Sequence, residues 1–242
     1  ADIETIETEL MLADLESLEK RVDNLSKKAK GGDKDSKEQL DLVERALKLL
    51  REGKPARFLD RKPEEERAFR MLGLLSSKPV LYVCNVEEAA AATGNAFSEA
   101  VFDHAKTEGA VAVVISAKIE SEIATLSRAE RADFLDTLGL AEAGLDRLIR
   151  AGYELLHLIT YFTVGPKEAR AWTITKGTKA PAAAGVIHTD FEKGFIRAET
   201  IAYDDYITLN GEAGARDAGK LRLEGKEYVV ADGDVMHFRF NN

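Results

Sequence analysis

Two short apolar runs constrain the middle of this chain more than any other feature. Val80–Cys84 and Val111–Ile115 have the length and composition of buried strands, and Phe97–Glu108 between them has the pattern of a helix. Because a helix of this length joins the two runs, we expect them to pair in parallel through a right-handed crossover. Their carboxyl ends then meet at one edge of the sheet, where ligands of α/β proteins bind.

Polar residues follow each run at that edge. The first strand runs into an Asn-led tetrapeptide and the second into a Ser-Ala-Lys turn, a combination typical of base binding in nucleotide-binding α/β proteins. Asn85 taken alone is more typical of a strand-end turn, and Glu87 or Glu88 could cap the following helix. The two ends together favour a nucleotide site made of Asn85, Val86, Glu87, Glu88, Ser116, Ala117 and Lys118.

The 242 residues contain no G-x-x-x-x-G-K-[S/T] loop to hold phosphates. The acidic start, Ala1–Glu4, has neither an initiator Met nor signal-peptide character, so we expect further sequence to precede it. A single cysteine, Cys84, suits a reducing cytoplasm, and we expect it to be a core residue rather than a redox sensor. No apolar run is long enough for a membrane helix.

The first 60 residues read as two helices joined by a glycine turn. Residues 3–30 and the residues after Ser36 carry apolar side chains at steps of three and four, and Gly31-Gly32 separates them. Ser36 with Gln39 is expected to form the capping box of the second helix, which ends at Gly53–Pro55. The pattern predicts an antiparallel coiled-coil hairpin.

The tip of this hairpin is basic. With a net charge of −9 the chain is no general nucleic-acid binder, so any RNA contact must be local. The tip lysines either serve solubility or contact a phosphate backbone such as ribosomal RNA. They are Lys27, Lys28, Lys30, Lys34 and Lys37.

The chain becomes strand-rich after residue 157. Ile159–Val164 and Ala169–Ile174 flank a Gly-Pro-Lys hairpin signal, and a short helix-and-turn region follows at residues 182–190. Further strands are expected at Ala198–Ile201, Tyr228–Val230 and Val235–Phe240. This order predicts an α+β module of the β-grasp type.

Several polar residues of this module are candidates for function. Lys193 and Arg197, with Lys176 and Lys179, could form an RNA patch or a solvated face. On a strand, His188, Asp190 and Glu192 would share one face and invite a metal or acid–base role, although structural hydrogen bonding is favoured. Trp172 is expected to be a core residue rather than a base-stacking platform.

Four stretches carry a resemblance to a known family. The chain is similar over its whole length to the C-terminal two thirds of YchF/Obg-like ATPases, which are translation-factor-class P-loop NTPases. The resemblance implies an α/β partial P-loop G domain with a parallel sheet, interrupted by a coiled-coil hairpin and followed by a TGS domain. The implied domains are 1–60, 61–156 and 157–242. The stretches are Asp2–Leu15, Lys28–Lys34, the entry into the TGS domain at Arg150–Thr163 with Arg170–Ile174, and Ile187–Ala198.

The resemblance also implies a function. In that family the motif that contacts the base is Asn-x-x-Glu in place of Asn-Lys-x-Asp, and here it falls on Asn85–Glu88. The motif lacks the aspartate that binds guanine, which suits ATP. The phosphate loop, the Mg²⁺ ligands and the water-positioning residue are expected upstream of Ala1, so this chain alone is expected not to hydrolyse ATP, and no catalytic or metal-binding residue is assigned within it.

The whole protein is thus expected to be a cytoplasmic, ribosome-associated ATPase without a membrane partner. A non-enzymatic, nucleotide-switched adaptor that binds RNA or protein is the alternative. A GTPase is a third, weaker possibility.

Overall fold

The computed structural model describes residues 2–241, which divide into two compact units between Val80 and Leu81. The first unit consists of helices with two short 3₁₀ turns, at Ala56–Phe58 and Pro63–Glu65. Its helices are α1 (Asp2–Lys30), α2 (Lys34–Arg51) and α3 (Glu66–Leu72).

The core of the first unit joins the long helices to the segment that follows them. Leu18 of α1 and Val43 of α2 are fully buried, and Phe69 and Leu74 belong to the same apolar cluster. Phe69, Leu72 and Leu74, which lie in the segment 61–80 that the sequence grouped with the next domain, therefore pack in one core with the two helices.

The beginning of α2 differs from the expected one. The helix begins at Lys34 with Asp33 at the N-cap position, and Ser36 lies buried inside the first turn. The Ser36 hydroxyl donates to Asp33 Oδ2, so it is engaged by a neighbouring carboxylate instead of capping the helix. The predicted capping box of Ser36 and Gln39 is wrong.

The second unit begins with the expected strand pair. β1 (Leu81–Asn85) and β2 (Val111–Ile115) pair in parallel, in register from Leu81 opposite Val111 to Asn85 opposite Ile115. Cys84 is half-buried, and its partial burial raises the pKa of the thiol. The helices of this region are α4 (Ala96–Glu108), α5 (Ala117–Ile123), α6 (Arg128–Thr137) and α7 (Gly144–Leu155), of which α4 and α7 contact the strand pair.

The rest of the second unit is a five-stranded sheet. Its strands are β3 (Leu158–Val164), β4 (Ala169–Thr175), β5 (Phe195–Ala202), β6 (Arg222–Glu224) and β7 (Asp234–Phe240). The spatial order is β4-β3-β7-β5-β6, and the central strands β3 and β7 are parallel. Its helices are α8 (Ala180–Ile187), α9 (Thr189–Lys193), α10 (Tyr203–Thr208) and α11 (Glu212–Asp217).

The core of this sheet lies under α8. Ala183 and Ala184 of the helix are fully buried in one cluster with Tyr161 and Phe238 of the sheet. The Tyr161 hydroxyl donates to the Ala183 carbonyl at 2.9 Å, so the buried phenol has a partner.

One expected strand of this module does not form. Tyr228–Val230 forms only an isolated bridge, because its backbone bonds with the loop at Thr178–Ala180. The favoured structural role of His188 is confirmed: its Nδ1 accepts from the Asp190 amide at 3.2 Å and caps α9, so the segment begins a helix and does not form a strand face. No helix within residues 2–241 is long and apolar enough to cross a membrane.

Candidate functional site

The two strand ends meet at one edge of the β1–β2 pair, as the sequence predicts. The Asn85 side chain carries its Oδ1 to 2.9 Å from the backbone nitrogen of Ala117, which donates to it. The backbone nitrogen of Val86 donates to the Ile115 carbonyl at 2.9 Å and extends the ladder by one bond. The first residues after each strand are therefore fixed to one another.

An ion pair links the same two loops further out. The Lys118 ammonium lies 2.8 Å from Glu88 Oε1, and the hydrogen bond and charge of Glu88 raise the pKa of Lys118. Both side chains are exposed, so this pair contributes little to stability, as surface pairs generally do. The pair nevertheless means that the carboxylate of Glu88, the fourth residue of the Asn-led tetrapeptide, already has Lys118 as a partner.

The middle residues of the tetrapeptide have other partners. The Val86 side chain is buried and anchors the loop. The carboxylate of Glu87 accepts from Asn95 Nδ2 at 3.3 Å, and the Glu87 side chain makes no cap bond to the short 3₁₀ helix that follows. The alternative that the Glu87 side chain caps the following helix is therefore wrong.

Ser116 differs from its neighbours in burial. It is only 2% exposed, and its hydroxyl has no hydrogen-bond partner among the described residues. Although Ser116 precedes α5, its side chain does not cap that helix. A buried hydroxyl without a partner is uncommon and is costly unless a water or ligand satisfies it.

Two residues that the sequence did not single out hold this edge in place. Glu120 Oε1 accepts from the Gly144 amide at 2.7 Å, and Arg147 donates to the Val114 carbonyl at 3.0 Å. A Cβ on Gly144 would lie 2.9 Å from Glu120 Oε1 and 3.1 Å from an Ile115 methyl group. The glycine at the predicted start of this helix was the available signal, since a residue without a Cβ permits close approach of the backbone.

The described residues include one near match to a phosphate loop. Gly214–Lys220 has the glycine and lysine spacing but is followed by Leu221 instead of Ser or Thr. Gly214 lies within α11, where a Cβ would come within 1.9 Å of the Leu209 carbonyl oxygen. Helix packing, rather than a strand–loop–helix phosphate cradle, explains this glycine.

The five lysines at the turn between α1 and α2 are all exposed. Lys34 lies 4.0 Å from Glu38, and within residues 2–241 no carboxylate is within ion-pair distance of the other four. Because most of these charges are uncompensated, the turn presents a basic surface.

The second basic candidate is weaker. The charge of Arg197 is partly neutralised by Glu199, which lies 3.7 Å away. Glu199 also accepts two hydrogen bonds from Arg239. Lys193 is exposed at the end of α9, and Lys179 pairs with Glu227.

Trp172 packs against the core of the sheet. Its Nε1 donates to Thr163 Oγ1 at 2.8 Å, and the Arg170 guanidinium lies over its ring at 4.3 Å. The indole therefore offers no open stacking face on that side.

Known proteins resemble this chain over nearly all of its length. The family model YchF-GTPase_C, described as a protein of unknown function (DUF933), matches residues 158–241. A protein of Pasteurella multocida (strain Pm70) named "Ribosome-binding ATPase YchF" is 55% identical over 240 residues, which are 99% of this chain and 66% of that protein. One of the same name from Bacillus subtilis (strain 168) is 52% identical over 242 residues, with the same two coverages.

Solved structures agree. The "Schizosaccharomyces pombe YchF GTPase" has a TM-score of 0.85 at 34% identity and covers 98% of this chain and 65% of its own. A "GTP binding protein from Pyrococcus horikoshii OT3" has a TM-score of 0.61 at 19% identity, covers 99% of this chain and 71% of its own, and supports the fold alone.

The chain spans 66% of the length of the curated relatives. The identity to those relatives, the matching family model and the structural similarity agree with the G-protein-like parallel strand pair: this chain belongs to the YchF family.

Proposed function

We propose that this chain carries the base-reading edge and the effector modules of a ribosome-associated ATPase that prefers ATP over GTP. One observation carries the proposal: the Asn85 side chain bonds the Ala117 amide and so joins the two strand ends into one surface. The names of the bacterial relatives support ATP hydrolysis and ribosome binding, and through the latter a cytoplasmic protein.

The ion pair between Glu88 and Lys118 supports the preference for ATP. Guanine presents an N–H and an amino group side by side, which a free carboxylate accepts well, whereas N1 of adenine is an acceptor. Glu88 already accepts from Lys118, so guanine binding would have to compete with that contact. Asn85, the Val86 backbone and the Ser116–Lys118 loop are proposed to face the base.

The chemistry of phosphoryl transfer is proposed to lie outside these residues. Mg²⁺ prefers oxygen ligands, but the two carboxylates at this edge already contact Lys118 and Asn95. The residues of this edge do not fit a magnesium site, and we derive no step through the metal. Its ligands and the phosphate loop are expected in the part of the relatives that this chain does not span.

The proposed modules are a coiled-coil hairpin at 1–60, part of a G domain at 61–156, of which residues up to Val80 form one compact unit with the hairpin, and a TGS domain at 157–242. The strand order β4-β3-β7-β5-β6, with its parallel central pair under α8, supports a β-grasp fold for the last of them. The lysines at the turn of the hairpin, joined by Lys193 and Arg197, are proposed to contact ribosomal RNA.

The proposal is tested first on this chain. Titration of ¹⁵N-labelled protein with ATP or GTP at millimolar concentration should shift the amides of Asn85–Glu88 and Ser116–Lys118, with larger shifts for ATP. Equal or larger shifts with GTP would overturn the preference for ATP, and shifts confined to other residues would overturn the site. No Mg²⁺-dependent ATP hydrolysis is expected from this chain.

A non-enzymatic, nucleotide-switched adaptor is the second candidate, in which the exposed lysines at the turn between α1 and α2 bind RNA or protein and nucleotide acts only as a switch. Turnover of ATP by the full-length protein, measured with and without ribosomes, separates the two. Nucleotide-dependent ribosome binding without turnover would favour the adaptor.

A further inference from the structure

An open groove in the second unit is lined by none of the residues proposed to bind nucleotide. One wall of the groove is α7, and the other is made of strand β3, the start of helix α10 and the turn before β7. The volume of the groove is about 910 Å³. That volume is within the range of about 300–1,000 Å³ common for ligand pockets.

The floor of the groove is apolar and aromatic. Ile149 of α7 and Tyr203 of α10 line it and are 50% and 48% exposed. Phe162 of β3 packs beside Tyr203 with ring centroids 5.6 Å apart. Large apolar side chains grouped at a concave surface are more typical of a binding site than of ordinary surface.

The rim of the groove is acidic. Its carboxylates come from α7, α10 and the turn before β7: Asp146, Glu154, Asp204 and Asp232. Asp232 accepts from the Thr160 amide at 2.8 Å, whereas the other three form no ion pair within the residues that the structure describes. The one basic lining residue, Arg150, makes two hydrogen bonds to Glu142.

We propose that this groove docks an arginine- or lysine-rich segment of a partner protein. The rim carboxylates match the charge of such a segment and can accept from its guanidinium or ammonium groups. The alkyl stems of these side chains can cover Ile149, and a guanidinium can lie over the ring of Tyr203. An RNA strand is disfavoured because its phosphates would face the same carboxylates.

A labelled peptide of alternating arginine and leucine tests this proposal without nucleotide, so its outcome is independent of the proposed nucleotide site. The groove variant Asp146→Asn/Glu154→Gln/Asp204→Asn is compared with Asp133→Asn/Asp136→Asn/Asp217→Asn, which changes net charge equally at exposed residues of α6 and α11. We expect about tenfold weaker binding for the groove variant and about unchanged binding for the control.

Equal weakening by the two variants would overturn the proposal, because it would indicate general attraction to an acidic protein. So would equally tight binding of a glutamine–leucine peptide or of oligouridine. Amide shifts supply an independent measurement: the arginine peptide should shift residues 146–154 and 158–162, and shifts that avoid both stretches would also overturn it. Ile149→Ser should weaken binding without altering charge.

Discussion

The side-chain oxygen of Asn85 lies 2.9 Å from the backbone nitrogen of Ala117, which is 32 residues away in the chain. The bond crosses from the end of β1 to the start of α5, so one side chain sets the distance between the two loops that follow the parallel strands. A nucleotide base that contacts both loops would find them already positioned, which lowers the entropic cost of binding.

Asn85→Ala should weaken ATP binding and lower the free energy of unfolding by about 0.5–1.5 kcal/mol, the usual contribution of one hydrogen bond. Asn95→Ala is the matched control, because Asn95 caps α4 through two backbone amides and is not proposed to contact the base. Urea unfolding should show both losses, whereas the ATP titration should change far more with Asn85→Ala. Equal effects on ATP binding would contradict the assignment of Asn85.

Glu88→Asp in the full-length protein should move the base preference toward GTP. The shorter carboxylate is less able to reach Lys118, and it restores the aspartate that accepts from guanine. We expect the ratio of GTP to ATP affinity to rise by about 10- to 100-fold, since a hydrogen bond to a charged group contributes about 1.5–3 kcal/mol and each 1.4 kcal/mol is about tenfold. Glu87→Asp, which alters the neighbouring carboxylate bound to Asn95, should leave the ratio unchanged.

Lys28→Glu/Lys37→Glu at the turn between α1 and α2 should reduce co-sedimentation of the full-length protein with ribosomes. Log affinity falls as log salt rises, and each lost phosphate contact should make this negative slope shallower by about 0.7–0.9. Lys48→Glu/Lys54→Glu changes the same net charge on exposed residues away from the turn. If both pairs behave alike, the turn is not an RNA contact.

Asp14→Asn should destabilise the first unit. The buried Asp14 carboxylate accepts from the Leu75 and Ser76 amides, each at 2.8 Å, and from the Ser76 hydroxyl at 2.6 Å. Replacing one oxygen by a donor leaves buried groups unpaired, and we expect a loss of about 2–4 kcal/mol. Urea unfolding measures it, and Asp23→Asn on the exposed side of α1 should cost less than about 0.5 kcal/mol.

Tyr228 should make the stability of the second unit fall in strong alkali. Burial and the hydrogen bond to Asp234 raise the pKa of this phenol from 10 to about 12. The folded protein therefore holds the proton more tightly than the unfolded chain, and the stabilisation is complete below pH 10 and is lost as the pH rises through 12.

Tyr228→Phe supplies the comparison for this pH dependence. It should be less stable than the parent below pH 10, because the bond to Asp234 is gone. The difference should shrink between pH 10 and 12. A difference that stays constant over that range would show that Tyr228 does not titrate with folding.

Much of the local structure could be predicted from the sequence. The β2 run Val111–Ile115 has the expected bounds, and α4 and β7 begin within one residue of theirs. The parallel pairing of β1 and β2 followed from the intervening helix alone, because the length of a connection limits the geometry of the strands it joins. These features depend on apolar spacing and on glycine and proline, which act over a few residues.

Features that depend on a choice between partners could not be predicted in this way. Ser36 could have capped α2 but donates to Asp33, and His188 could have lain on a strand but caps α9. Tyr228–Val230 has strand composition, yet its backbone bonds with a loop 50 residues earlier. In each case several partners are chemically acceptable, and local pattern does not rank them.

The sequence by itself determined that two strands end in an Asn-led tetrapeptide and a Ser-Ala-Lys turn, because strand length, alternation and residue type are properties of neighbouring residues. Only the tertiary structure decided that the Asn85 side chain accepts from the Ala117 amide and that Lys118 forms an ion pair with Glu88. It also decided that Gly144 lets α7 approach Glu120 closely. The physical reason is that a hydrogen bond or an ion pair forms with whichever group the packed backbone brings within about 3 Å, and that proximity is a property of the whole fold.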